Sequence, residues 1–562
     1  MSEPLFVALD GARPIAFSHP KRIIRAERAD QCRGAIAECD AALEGGAFVA
    51  GYLSYELGCA LAGIPFERSA HPLLTIGVFD APARIPSAFG EPFVAGPLCA
   101  RIDRGAYDVA IARIAHAIHE GDVYQVNYTI PFDFAFRGSP RALYKRLREA
   151  TRAPHAAYFE HAGFAIASWS PELFLEIEDG VVRTRPMKGT AALDRIGELE
   201  SEKNRAEHVM IVDLLRNDLH RMCTHVWVED LLTVERYPTF ATLTSTIAGR
   251  LQESARLSTI LDAAFPCGSV TGAPKIAAMQ AIGALERDPR GAYTGALGYM
   301  SPDGNGRWNV AIRTAQIDVR RGAGRFDAGG GIVADSDAAG EWHEIALKRA
   351  FFAAVTHPVS IVETFALGMR EGAHLARLHD TAERFGYPYD LASVRKKLDE
   401  ARAITSEPTL VRVTLERDGT FAIQTSPLLD SELPVRICRS TQRLHSDDFM
   451  LQYKTTWRPT HDRALQEARQ RGCFDALLFN ERGEVAEGAR SSVFARIGGS
   501  LFTPPRASGC LPGILRAELI ASGRATERVL LEEDLRGADE VFVGNSARGL
   551  LPAQITDVLS AV

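Results

Sequence analysis

In the first 356 residues, runs such as HAAYFEHAGFAIAS, LFLEIEDGVVRTRP and RWNVAIRTAQIDV alternate apolar and polar positions and carry turn residues between them. That alternation predicts antiparallel strands and hairpins. Between them lie stretches of helical period. In EKNRAEHVMIVDLLRNDLHRM (202–222), Val212, Leu215, Leu219 and Met222 fall on one stripe and leave Glu207 on another flank. A further helix opens at Glu341, where Glu341, Glu344 and Lys348 share one face. The mixture predicts an α+β domain of large, mostly antiparallel sheets flanked by helices. A seam falls near Thr356-His357-Pro358, where the helical EIALKRAFFAAV gives way to the strand-like VSIVETFAL. We place the boundary there, giving domains 1–356 and 357–562. The second, smaller domain is again mixed, with a helix around His374 to Phe385, a hairpin in TLVRVTLERDGTFAIQT, a helix over 461–471 and further strands.

Composition narrows the function classes. The chain has 562 residues, 46% hydrophobic and 24% charged, the proportions of a globular protein of several units. Lys plus Arg total 64 against 71 for Asp plus Glu, and the net charge of -7 lacks the basic field that nucleic-acid binding needs. The nine cysteines are odd in number and form no C-x-x-C pair, so neither a disulfide framework nor a zinc site is expected. A reducing cytosol fits. No basic-then-apolar leader and no run approaching the ~18 apolar residues of a membrane span is present, so a cytoplasmic protein without membrane attachment is expected.

Candidate chemistry sits at a few turns. Lys188, in RTRPMKGT at a strand end, could be a desolvated amine, and desolvation lowers a lysine's pKa and makes it nucleophilic. Gly329, Gly330 and Gly331 lie between a strand and a helix start, where bare amides can approach an anion. FPCGSVTGAPK has a lysine, Lys275, but not P-loop spacing. Lys454 follows a short apolar run in LQYKTTWRPTHDRAL, and Glu487 sits in a Gly/Ser-rich bend after a hairpin turn at Asn480 to Gly483. Taken singly, each also reads as an ordinary turn, surface lysine or solvated acidic face.

Taken in order, GYLSYELG, EGDVYQVNYTIPF, SPELFLEI, RPMKGT, RAEHVMIVDLLRND, AAFPCGSVTGAPK, GALGYMSPDGN, VAIRTAQI and AGGGIVADSDAAGEWHE resemble the successive signatures of chorismate-utilising enzymes. The resemblance covers nearly all of residues 50–355. Within that family a lysine in P-[IM]-K-G-T is characteristic of aminodeoxychorismate synthase component I, where anthranilate synthases carry alanine. It implies that Lys188 attacks chorismate and that Glu172, in SPELF, is the general acid/base for the departing hydroxyl. It further implies that Glu207 and Glu344, with Glu341 close by, hold Mg2+, and that Arg313 pairs with a chorismate carboxylate. Thr271, Tyr299, Gly329 and Gly331 match substrate-cradling positions. Thr242 departs from the pattern, standing where many relatives carry a histidine tied to anthranilate formation. No G-x-C-x-G glutaminase motif appears, so a separate glutamine amidotransferase subunit is implied as the ammonia source.

The second half resembles fold type IV pyridoxal 5'-phosphate enzymes through IVETF, REGAHLARLHDTAERFGY, YKTTWR, EVAEGARSSVF, GCLPGILR and GNSARGLLPA. That group holds branched-chain and D-amino acid aminotransferases and aminodeoxychorismate lyase. Lys454 matches the lysine that bonds the cofactor and Glu487 the partner of its ring nitrogen. Arg377, the Ile514 backbone and Ser546 match the phosphate cup. Motifs do not separate lyase from transaminase. The fusion favours the lyase, because the first half's product carries the amine the second would act on. A transaminase, or a non-catalytic second domain that binds the amidotransferase, stays open, and a homodimer is a possibility by analogy.

Overall fold

The computed structural model describes residues 5–11, 13–83, 93–191, 196–236, 241–356, 359–405, 407–446 and 448–556. The chain divides into two compact units, 1–356 and 357–562. His357 and Pro358, at the seam, lie outside the described residues.

The first unit is built on two ten-stranded sheets whose described pairings are antiparallel. Leu5–Leu9 shows why the strands lack a polar face. Leu5, Val7 and Leu9 point into a layer shared with Tyr52 and Leu297 of the other sheet, while Phe6 and Ala8 join the core beneath the helices. Alternate residues of a strand face opposite sides, so a strand covered on both sides must be apolar throughout. Behind one sheet pack Arg104–His119, Pro140–Thr151, Lys275–Leu285 and Ala338–Ala353, through residues such as Ile111, Leu143, Met279 and Phe352. Behind the other pack Ala29–Glu44, Glu202–His220 and Leu257–Ala264, through Ile36, Ile211, Leu215 and Ile260. The result is four layers, helix–sheet–sheet–helix, which meets the expectation of large antiparallel sheets flanked by helices.

Two local expectations shift. Gly329–Gly331 lie inside the strand Ala323–Ile332, paired with Gln125–Gly138, rather than in a turn after it. A Cβ on Gly329 would lie 2.1 Å from the Tyr128 carbonyl oxygen, so close strand approach requires the glycine. The helix carrying Glu341 begins at Ala338 because the Asp337 side chain accepts from the Ala339 and Gly340 amides at 3.0 and 2.9 Å.

The second unit has a three-stranded antiparallel sheet, Ile361–Ala366, Thr409–Leu415 and Phe421–Pro427, contacted by the helices Glu371–Phe385 and Leu391–Ile404. It also has an eight-stranded mixed sheet in which Val435–Leu444 runs parallel to both Asp475–Asn480 and Gly549–Ile555. Among the described residues no helix is long and apolar enough to cross a membrane. All nine cysteines are buried, and none is joined in a disulfide.

Candidate active sites

A cavity of about 340 Å³ in the first unit is lined from both sheets and from the helices Glu202–His220 and Ala338–Ala353. Lys188 enters it from the strand Met187–Ala191, whose register with Ala241–Leu251 shifts between Lys188 and Thr190. Gly189 takes φ +68° there, and Thr242 Oγ1 donates to its carbonyl at 2.6 Å, fixing the bend that aims Lys188. Lys188 Nζ donates to Glu207 Oε1 at 2.9 Å, and Gln125 Nε2 donates to the same oxygen at 3.2 Å. Burial disfavours the ammonium, but Glu207, with Glu172 and Glu344, more than offsets it and holds the Lys188 pKa above its ordinary value. The sequence-based expectation of a lowered pKa is therefore corrected: the desolvation is present, and a carboxylate partner outweighs it.

Glu172 is 3% exposed, and burial pushes its carboxyl up to about 7 although Ser269 Oγ donates to it at 2.5 Å. Arg313, at φ +52°, lines the cavity, and burial lowers its pKa to about 10. Lys348 Nζ bonds Glu344 at 2.6 Å and the Gly329 carbonyl at 2.8 Å, and it pulls the Glu344 carboxyl below the usual range. Glu341 accepts from Ser336 Oγ at 2.6 Å. A Cβ on Gly331 would lie 2.1 Å from Gln125 Nε2 and 3.1 Å from Lys188 Nζ, so a side chain there forces both side chains to shift.

The second unit holds a cavity of about 450 Å³ around Lys454. Burial lowers the Lys454 pKa to about 8. Glu487, on Val485–Gly488, accepts from Arg458 at 2.8 Å, His461 at 2.7 Å and the Leu511 amide at 3.1 Å. Burial opposes its charge, yet Arg458 and His461 outweigh burial and hold it below the usual carboxylate range. Arg377 makes a fork to Glu363 at 2.7 and 2.8 Å. The His374 ring links Glu363 at 2.5 Å to the Ser546 hydroxyl at 2.7 Å. The helix Ile514–Ala521 starts at Gly513 with no side-chain cap, leaving first-turn amides for another acceptor.

Residues 84–354 match the chorismate binding enzyme family, and residues 368–555 match amino-transferase class IV. The chain joins a chorismate-binding domain to a class IV amino-transferase domain. Aminodeoxychorismate synthase component 1 of Salmonella typhimurium is 39% identical over 254 residues, 43% of this chain and 55% of that protein. Anthranilate synthase component 1 of Aquifex aeolicus is 38% identical over 254 residues, 43% of this chain and 51% of that protein. The chain thus spans about half the length of the curated relatives it matches. Anthranilate synthase component I from Streptococcus pneumoniae shares the fold of the first domain, with TM-score 0.51 and 24% identity over 62% of this chain and 90% of that one.

In the chorismate-binding domain the structure brings Glu172, Lys188, Glu207, Arg313, Glu341 and Glu344 to one cavity, with Gly329 and Gly331 in its wall. Two expected residues are not in that wall. Tyr299 packs its ring 5.5 Å from that of Phe17 between the sheets, and Tyr293 lines the cavity instead. Thr271 is fully buried beside it, where its hydroxyl closes the preceding turn onto the Gly268 carbonyl at 3.1 Å. The amino-transferase domain brings Arg377, Lys454, Glu487, Ile514 and Ser546 to its cavity. Sequence reasoning missed Gln125, Ser269, Glu363 and His461. Glu363 had a signal, since a charge inside the apolar run of IVETF must be paired if buried.

The donor sets fit the expected groups. Uncapped amides at Ile514, the Ser546 hydroxyl and Arg377 suit a phosphate dianion, and an ionised Glu487 suits a protonated pyridine nitrogen. In the chorismate-binding domain, no group of three or more His, Cys, Asp or Glu is arranged as a metal cluster among the described residues. Mg2+ needs only one or two carboxylates beside water and substrate oxygens. Glu207 and Glu344 meet that need, and each is neutralised here by a lysine ammonium.

Proposed function

We propose that the chain makes 4-aminobenzoate from chorismate in two steps, one in each domain. The observation that carries the reading is Lys188, a largely buried amine in the cavity of a chorismate-binding domain, where its resemblance points to para-amination. Identity alone does not choose, because aminodeoxychorismate and anthranilate synthases match equally well. In the first step Lys188 attacks C2 of chorismate as the C4 hydroxyl leaves with a proton from Glu172, whose carboxyl still holds one near neutrality. Ammonia adds at C4, Lys188 is expelled, and 4-amino-4-deoxychorismate results. Lys188 must lose its proton before attack, because Glu207 keeps it charged in the free chain. Arg313 holds a substrate carboxylate. Mg2+ on Glu207 and Glu344, with Glu341 nearby, would act as a Lewis acid on another. A cytosolic glutamine amidotransferase subunit supplies the ammonia.

In the second step Arg377, the Ile514 amide and Ser546 would hold the phosphate of pyridoxal 5'-phosphate, and Glu487 would pair with its ring nitrogen. The cofactor, when bound, draws electrons from the carbon that carries the substrate amine. Lys454, with a pKa near 8, takes the proton from C4, pyruvate departs from C3, and the ring becomes aromatic. The class IV match also fits an amino-acid transaminase, which requires a 2-oxo acid as amino acceptor. The test supplies chorismate, Mg2+, cofactor and ammonium and separates products by chromatography. Wild type is expected to give 4-aminobenzoate and pyruvate without a 2-oxo acid, and Lys454→Ala to stop at 4-amino-4-deoxychorismate. Lys188→Ala is expected to give nothing para-aminated. Formation of 2-aminobenzoate, or no pyruvate from wild type, overturns the corresponding step.

A further inference from the structure

The cavity around Lys454 carries more positive charge than its cofactor would use. Arg377, Arg412, Arg458, Arg469, Arg490 and Arg548 line it, against Glu487 as the one lining carboxylate among the described residues. Arg377 is paired with Glu363 and placed for the phosphate, and Arg458 is paired with Glu487. Of the rest, Arg469, Arg490 and Arg548 form a group from three segments: the helix Pro459–Gln470, the bend after Glu487 and the turn after Ser546. Arg469 and Arg490 are exposed, and beside partial desolvation Arg548 and Arg469 lie close enough to Arg490 that both disfavour its charge. Among the described residues no ion pair joins any of the three to a carboxylate. Asp475, which favours the Arg490 charge, is itself buried, accepts from the Ser491 hydroxyl and is pushed up to about 6. Arg490 is held in place, stacked 4.0 Å over the Phe474 ring with Nη2 donating to the Phe474 carbonyl at 2.6 Å. Arg548 Nε is buried with no hydrogen-bond partner. Like charges gathered without counter-charge repel one another, and a bound anion relieves that repulsion.

We infer that Arg469, Arg490 and Arg548 form a second anion site, which selects amine substrates bearing two carboxylates over those bearing one. For its physiological ligand the inference rests on the lyase reading, since 4-amino-4-deoxychorismate has a ring carboxylate and an enolpyruvyl carboxylate. An amino acid with an aliphatic side chain would leave these arginines unmatched.

The experiment titrates the cofactor-loaded full chain with isophthalate and with benzoate, following the visible band of the bound cofactor, which reports on the second domain alone. Isophthalate is expected to bind at least tenfold more tightly, equivalent to about 1.4 kcal/mol, and to weaken more steeply than benzoate as KCl is raised. Arg490→Met and Arg548→Met are each expected to erase most of the preference, weakening isophthalate at least tenfold more than benzoate. Equal binding of the two probes by wild type, or the same salt dependence for both, overturns the inference without need of any variant. A preference that survives both substitutions overturns the residue assignment. Pyruvate release from 4-amino-4-deoxychorismate is scored separately. Its absence would sink the lyase reading while the isophthalate preference still stands or falls by itself.

Discussion

The proton on Glu172 can be moved by one neighbouring hydroxyl. Ser269 Oγ donates to Glu172 Oε1 at 2.5 Å, a bond that favours the carboxylate and works against the burial that raises the pKa to about 7. Ser269→Ala removes that bond and leaves the burial in place. A hydrogen bond to a charged group contributes about 1.5–3 kcal/mol, and 1.36 kcal/mol corresponds to one pH unit, so the Glu172 pKa should rise by about one to two pH units. A general acid acts while protonated, so kcat/KM for 4-amino-4-deoxychorismate formation should fall in wild type as pH rises through about 7. In Ser269→Ala that descending limb should move upward by the same one to two units. The assay follows product from chorismate at fixed free ammonia concentration, so that ammonium titration does not enter the profile. Glu172→Gln should lose the limb altogether along with about 10²–10⁴ in rate. A limb that stays in place or moves down in Ser269→Ala would refute the argument, because the hydroxyl would then not be holding the charged form.

Gly331→Ala should drive Gln125 and Lys188 apart, given Cβ distances of 2.1 and 3.1 Å. We expect at least a tenfold loss of para-amination with an unchanged circular dichroism spectrum, and full activity would show that the wall can give way. Glu363→Ala leaves Arg377 and His374 beside a buried vacancy in charge, which should cost about 3–5 kcal/mol in urea unfolding of the second domain and weaken phosphate binding there. The Glu363 pKa is depressed, through Arg377 and His374 against burial, so its contribution is present above the ordinary carboxylate range and lost as pH falls through the depressed value. A melt of Glu363→Ala that matches wild type at pH 7 would contradict the pairing. Lys454 captures the cofactor only as a neutral amine, so the rate at which stripped protein regains the visible band should climb with pH and level off above about 8. A rate that is flat between about pH 6.5 and 9 would mean that burial does not set this pKa.

Local sequence was enough for much of the architecture. Alternation in the strands and the 3.6-residue stripe around Leu215 determine which segments become strand or helix, because those periods follow from backbone geometry alone. The lysines and Glu487 could be singled out from motif resemblance, since a family's signatures record which residue types its chemistry needs. Tertiary structure decided what surrounds them. Lys188 is charged rather than neutral because Glu207 comes from a helix 19 positions away in the chain. Gly329 is required because the Tyr128 carbonyl of Gln125–Gly138 lies against it. Tyr299 faces Phe17 and not the cavity because strand register, invisible in one strand alone, sets which side a residue faces. The bond from the His374 ring to Ser546, 172 positions away, and the grouping of Arg548 with Arg469 and Arg490 likewise join segments apart in sequence. Burial and charge pairing act through space, and only the folded chain determines which groups share a low-dielectric neighbourhood.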